Sequence, residues 1–196
     1  MKVDKGSHKM GLLINRRTLE CDQNLLSVLE DAVESDLPFF ARAYPDFCLW
    51  LRATVIPGLV SGERSIWIEQ RDESIVGLLI LKHSKVERKL CTLRVREPLQ
   101  NRGMGMRLFE RAFDVLGTDE PLLSVADSNL PKFQRIFDHF GFRKEGQYHG
   151  LYRVDSTEFS FNGLLVQSPR QFMTLGVPST LPKRIRLNPE SLELLA

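Results

Sequence analysis

Little in this sequence commits it to a special environment. Of its 196 residues only three are cysteines (Cys21, Cys48 and Cys91), an odd number, and they are widely spaced. That excludes a disulfide framework and a paired-cysteine metal motif, and it reads as reduced thiols in a cytoplasmic protein. No apolar run approaches the ~20 residues needed to span a bilayer, so no membrane partner is expected. The first ten residues, MKVDKGSHKM, are too polar for a signal peptide. Their GSHKM resembles an expression-tag scar, so residues 1–10 are expected to be a tag remnant or a disordered start and are left out of the fold reading. The net charge of +2 gives no support to a nucleic-acid partner, yet it leaves room for an anionic ligand. There is no internal repeat, no low-complexity segment, no Ser/His/Asp arrangement and no cluster of metal ligands, so no metal is expected.

What is present is an ordinary globular mixture, 42% hydrophobic and 27% charged, able to bury a core. Residues 11–17 (GLLINRR) read as a first strand. From Asp22, a plausible N-cap, the residues Leu25, Leu26, Leu29, Ala32 and Val33 recur at helical spacing. Pro38 and Pro45 divide the next stretch into shorter helices, and Phe47, Trp50, Leu51 and Val55 mark another that should end near Pro57-Gly58. Three β-like runs come next, at 65–70, 74–83 and 89–95. A helix is expected over about 103–116, with Met104, Leu108, Ala112 and Val115 on one face. Residues 122–126 (LLSVA) read as a buried strand. Residues 127–142 read as a helix capped by Asp127, Ser128 or Asn129, with Leu130, Phe133, Phe137 and Phe140 facing inward and Gly141 at its stop. A closing antiparallel pair lies on either side of VDS (154–156). The order is that of a mixed α/β domain.

The most informative stretch is LRVREPLQNRGMGMRLFERAF, residues 93–113. A strand ends at Val95, a short polar loop comes after it, and a helix begins. The first turn of a helix leaves backbone N–H groups unpaired, and the dipole adds positive charge there. Gly103 and Gly105 remove Cβ atoms, so a diphosphate could approach the amides, and Arg102 adds a mobile cation. A tight turn with close helix–strand packing explains the same glycines. A Walker A loop is excluded, since no Gly-Lys-Ser/Thr is present after it, and Leu108 stands where a dinucleotide fingerprint needs its third glycine.

VREPLQNRGMG resembles the acyl-CoA-binding signature of the GNAT acetyltransferases. Val95, Gln100, Gly103 and Gly105 fall at the expected offsets, while Glu97 stands where proline is commonest and Leu99 where an aromatic is usual. The resemblance runs from about residue 12 to 166 and includes the "FGF" at 140–142 that ends the next helix. It implies a splayed mixed sheet flanked by helices, in which strand 89–95 diverges from strand 122–126. It implies acetyl-CoA as cosubstrate, its pyrophosphate on the amides of Gln100, Asn101, Arg102, Gly103, Met104, Gly105 and Met106. The strand edge at Leu93 and Val95 would pair with the pantetheine arm. The thioester oxygen would accept a backbone N–H near Leu93. Asn129 would bind the pantetheine or, equally, cap its helix.

The chemistry that the resemblance implies is direct transfer of acetyl to the primary amine of an acceptor that the sequence does not identify. Where many relatives place a proton-donating tyrosine this chain has Phe137, and where some place a carboxylate base it has Lys89. The candidates left are Glu87, two residues before Lys89, and Tyr152, in the closing hairpin beside Tyr148 and His149. His139 reads as surface and Cys91 as core. Two further readings stay open: an aminoacyl-tRNA-acetylating toxin, with Arg184 and Arg186 touching phosphate, and a non-catalytic acyl-CoA-binding module. The acyltransferase domain is expected over 11–166. Residues 167–196 hold four of the ten prolines and many leucines. They read as an arm that docks on its own domain or on a second copy, giving a homodimer.

Overall fold

The computed structural model describes residues 9–41, 46–71 and 74–165. The arm expected over 167–196 lies outside them. The elements run β1 (Lys9–Ile14), α1 (Arg16–Cys21), α2 (Leu25–Ser35), α3 (Leu37–Ala41), α4 (Phe47–Trp50), α5 (Ile56–Ser61), β2 (Arg64–Arg71), β3 (Ser74–His83) and β4 (Arg88–Val95). They continue with α6 (Met104–Leu116), β5 (Leu122–Ala126), α7 (Leu130–Phe140), β6 (Lys144–His149) and β7 (Thr157–Phe161). The seven strands form one mixed sheet in the order β1-β2-β3-β4-β5-β7-β6.

The N-terminal third departs from its sequence pattern. Lys9 and Met10, expected to belong to a tag remnant or disordered start, pair with Arg71 and Gln70 in the sheet. The strand stops at Ile14 because Asn15 starts a helix with a reciprocal cap. Its Oδ1 accepts from the Thr18 amide at 3.0 Å, and Thr18 Oγ1 accepts from the Asn15 amide at 2.9 Å. Arg16 and Arg17 are therefore helical rather than extended. Asp22 ends α1 instead of starting α2, and its Oδ1 takes the Asn24 amide.

Pro57 does not end a helix. Residues Leu51–Val55 widen into a π-turn, with the Ile56 amide reaching Leu51 O, and Pro57 sits in the first turn of α5. A proline has no N–H to donate and its ring crowds the carbonyl four residues back. The wider turn accommodates both defects without breaking the run.

The helices cover the sheet's two faces with separate cores. On one face α1–α5 lie over β1–β4, around Leu29, Phe40, Phe47, Leu51, Ile66 and Ile80. On the other, α6 and α7 cover β3–β5 and β7, around Leu79, Leu90, Leu108, Phe109, Val125 and Phe137. The run VGLLIL in β3 is apolar throughout because both its faces are covered: Leu78 and Ile80 enter one core, Leu79 and Leu81 the other.

The feature that places the site is the junction of β4 and β5. The two strands run parallel but pair at only two positions, Lys89↔Leu122 and Leu90↔Leu123. The cause lies on the other edge of β4. Ile80 pairs with Thr92 and Leu81 with Leu90, so Cys91 is an extra residue, a β-bulge. A bulge bends its strand and increases the local twist. It also puts Leu90 and Leu93, three apart, into the same core. Past Leu90 the strand turns away from β5, leaving a V-shaped gap.

Candidate active site

The gap between β4 and β5 holds a cleft lined by Cys91, Leu93, Ser124, Ala126, Asn129 and Phe133, among others. Its walls are two strand edges that no longer bond to each other. The backbone groups of β4 beyond Leu90 on this side are turned toward the cleft and have no β5 partner. Such an edge can take an extended amide-bearing chain as an extra strand.

At the wide end of the gap lies the loop between β4 and α6. Asn101 and Gly103 both have positive φ, 57° and 78°. Gly103 is the N-cap of α6, and no side chain caps that helix end. The amides of Met104, Gly105 and Met106 have no carbonyl one turn back inside the helix, whose bonding starts with the Arg107 amide on Gly103 O. A Cβ at Gly103 would meet nothing within 4 Å, so the space over the helix end is open. Gly105 differs. A Cβ there would lie 3.2 Å from Ile136 Cδ1, so this glycine serves close packing of α6 against α7 rather than ligand approach. Gln100 donates from Nε2 to Val95 O at 2.9 Å and staples the loop back to the strand end. Arg102 is exposed, Met106 is half-buried, and the Met104 side chain is buried in the core, leaving Met104 only its amide for a ligand.

Asn129 is the N-cap of α7 by position but makes no capping bond. Its Oδ1 instead accepts from Lys132 Nζ at 3.0 Å, and the residue lines the cleft. Phe137, where relatives carry a tyrosine, is core. It is 1% exposed and packs its ring 4.3 Å from Phe161 and 5.7 Å from Phe133.

Tyr152 comes in from the loop between β6 and β7. The residue keeps 39% of its surface, but its hydroxyl sits inward beside Ser124, with Glu158, Cys91 and Glu87 nearby. Burial pushes its pKa up to about 12, reinforced by the charges of those neighbours and partly offset by the Ser124 hydrogen bond. Tyr152 therefore stays protonated through the neutral range. Glu87 precedes β4 and its carboxylate is bonded to Lys82 Nζ at 2.5 Å. His149 lies farther along β6 and bonds to Thr157 and Gln147. Cys91 Sγ accepts from Arg64 Nη1 at 3.4 Å.

One residue of this constellation has no counterpart in the sequence reading: Glu158. It lies in β7, opposite Ala126 of β5 and Tyr148 of β6. It is 3% exposed. Its Oε2 is buried and has no hydrogen-bond partner among the described residues. Burial raises its pKa to about 7, as does the nearby Asp127 carboxylate; a Ser124 hydrogen bond and Lys89 act the other way. Ser124 thus lies near both Tyr152 and Glu158, and it lines the cleft. The sequence concealed this because TEFSF alternates, with Phe159 and Phe161 packed inward, so Glu158 reads as solvent-facing. An acid in the middle of a central strand is nonetheless unfavourable, and that is the signal that could have singled it out.

Among the described residues no group of His, Cys, Asp or Glu could hold a metal ion. No helix there is long and apolar enough to cross a membrane.

No family model matches the chain, and no curated protein does either. Solved structures do. A GNAT-family acetyltransferase from Bacillus cereus is 18% identical, with a TM-score of 0.53 over 79% of this chain and 95% of its own. A probable acetyltransferase from Staphylococcus epidermidis is 15% identical, with a TM-score of 0.52 over 79% and 97%. A nourseothricin acetyltransferase is 16% identical with a TM-score of 0.46, matching 52% of this chain, which spans 65% of that protein's length. At these identities the similarity is one of fold.

Proposed function

As the chain has the fold of the GNAT acetyltransferases, we propose that it is an N-acetyltransferase moving acetyl from acetyl-CoA directly to a primary amine. The observation that carries this reading is the bulge-driven gap between β4 and β5, opening beside an uncapped helix end headed by Gly103. An apolar, strand-edged cleft leading to a cluster of free amides suits an extended amide chain that ends in a diphosphate.

The amides of 101–106 hold the pyrophosphate, and Arg102 adds charge from solvent. The β4 edge past Leu90 orders the pantetheine arm, with Asn129 facing it across the cleft. Leu93 offers a backbone N–H to the thioester oxygen, where negative charge grows as the amine attacks. Tyr152, protonated at neutral pH, is the proton donor for the departing thiolate. Glu87 acts at a distance, its charge helping to keep Tyr152 protonated.

The test is acetyl-CoA titration of the full chain, then thiol release with n-butylamine as acceptor. Gly103→Val would confuse the result, because a β-branched residue at φ 78° is strained. Gly103→Asn is the informative variant, since Asn tolerates that conformation. Its side chain enters the open space over the helix end. Weakening of acetyl-CoA binding by about tenfold, roughly 1.4 kcal/mol, with an unchanged melting temperature is expected. Unchanged affinity in the folded variant overturns the site, and tight binding without thiol release makes the chain a binding module.

A further inference from the structure

We propose that Glu158 is the proton acceptor of the transfer, taking the acceptor's ammonium proton through the Ser124 hydroxyl. This rests on the acetyltransferase reading above. An amine such as a lysine side chain reaches the enzyme protonated at neutral pH, since its pKa is about 10, and an ammonium has no lone pair with which to attack. Something in the cleft must remove a proton, and Phe137 and Lys89 cannot.

The arrangement for it is built. Glu158 is almost fully buried, one of its oxygens is unpartnered among the described residues, and it shares the face of the sheet that carries Ser124, two residues from its register partner Ala126 on β5. An unpaired buried carboxylate oxygen is costly unless something uses it. The other groups facing Glu158 are Lys89 of β4, Asp127 after β5, Tyr148 opposite it on β6 and Tyr152 from the hairpin loop. With Glu158 ionised, two negative charges (Glu158 and Asp127) stand against Lys89, and Arg94 of β4 also lines the cleft, so it is the Glu158 carboxylate itself rather than a net negative cleft that draws the ammonium. A carboxyl with pKa about 7 is also matched to working pH, where a general base is most effective.

The protons balance. The ammonium N–H proton passes to Ser124 Oγ as the Ser124 hydroxyl proton passes to Glu158. The freed lone pair forms the C–N bond at the thioester carbonyl. The C–S bond breaks, Tyr152 gives its proton to the sulfur, and Tyr152 regains one from the nitrogen as the amide forms. Glu158 then returns its proton to solvent.

The test compares two probes with the full chain and acetyl-CoA. n-Butylamine is cationic at neutral pH and needs a base, whereas hydroxylamine is already neutral there and does not. Glu158→Gln is expected to lower transfer to n-butylamine by about a hundredfold or more, to lower transfer to hydroxylamine far less, and to leave acetyl-CoA affinity unchanged. Ser124→Ala, which removes one oxygen, should move the two probes apart in the same direction and serves if the first variant does not fold. For the wild-type chain, kcat/KM for n-butylamine should rise to a bend near pH 7 and then stay flat. In the variants it should climb steadily toward about pH 10, following the free amine. Equal losses for both probes, or a wild-type profile without the bend, overturn the role of Glu158 and leave the acetyltransferase reading standing. Absence of transfer to either probe by the wild-type chain overturns both.

Discussion

Replacing Glu158 by glutamine should stabilise the protein, by an amount that grows as pH rises from about 4.5 to about 7. Burial moves the Glu158 carboxyl from an ordinary 4.5 to about 7 in the folded state. The fold therefore prefers the protonated form. Its contribution is fully present below the unfolded pKa and is lost as pH rises through the folded one. At about 1.4 kcal/mol per pKa unit, ionising the group in place costs the fold about 3 kcal/mol. A glutamine at this position would mimic the neutral acid at every pH, so Glu158→Gln should match the wild type near pH 4, below the unfolded pKa, and exceed it by about 3 kcal/mol near pH 8. For a chain of this length that is a rise in melting temperature of about 6–12 °C. Thermal denaturation monitored by circular dichroism at the two pH values reads it directly. A difference independent of pH, or a variant less stable than the wild type near pH 8, refutes the claim that this carboxyl is buried without adequate partners. A carboxylate kept where it costs stability is what a functional site looks like.

Three other substitutions test the frame around it. Phe137→Ala removes a ring that packs against Phe133 and Phe161 in the α6–α7 core. It should cost about 3–5 kcal/mol, and a chemical denaturation curve with unchanged slope and a much lower midpoint would show it. Tyr152→Phe removes the proposed donor to the thiolate and should lower kcat about tenfold or more with acetyl-CoA affinity intact; an unchanged kcat assigns that proton to water. Glu87→Gln, whose carboxylate is already engaged by Lys82, should change kcat less than Tyr152→Phe does, and a larger loss would make it the base.

The C-terminal two-thirds of the fold was legible because its elements are long and bounded by strong punctuation. β3 and β5 have the ends that their apolar runs mark, Ser74–His83 and Leu122–Ala126. Gly117 and Gly141, both at positive φ, close α6 and α7 where the sequence pattern marks or implies a helix stop. The N-terminal third was less legible because local chemistry overrode periodicity there. The Asn15–Thr18 capping box turned Arg16-Arg17 from strand to helix, and a π-turn absorbed Pro57. The divergence of β4 from β5 was expected from resemblance alone; its physical cause, the bulge at Cys91, has no signature in KLCTLRV. Glu158 was illegible for a different reason. Its burial comes from β7 lying between β5 and β6, opposite Ala126 and Tyr148, a sheet order that the alternation of TEFSF does not encode.

The most direct test of the central claim is a crystal structure of the full chain with acetyl-CoA. The account predicts the pyrophosphate on the backbone amides of residues 101–106, the pantetheine along the β4 edge beyond Leu90, and the thioester between Leu93 and Ser124. Acetyl-CoA bound elsewhere, or β4 and β5 paired along their whole length with no gap for it, would contradict the account.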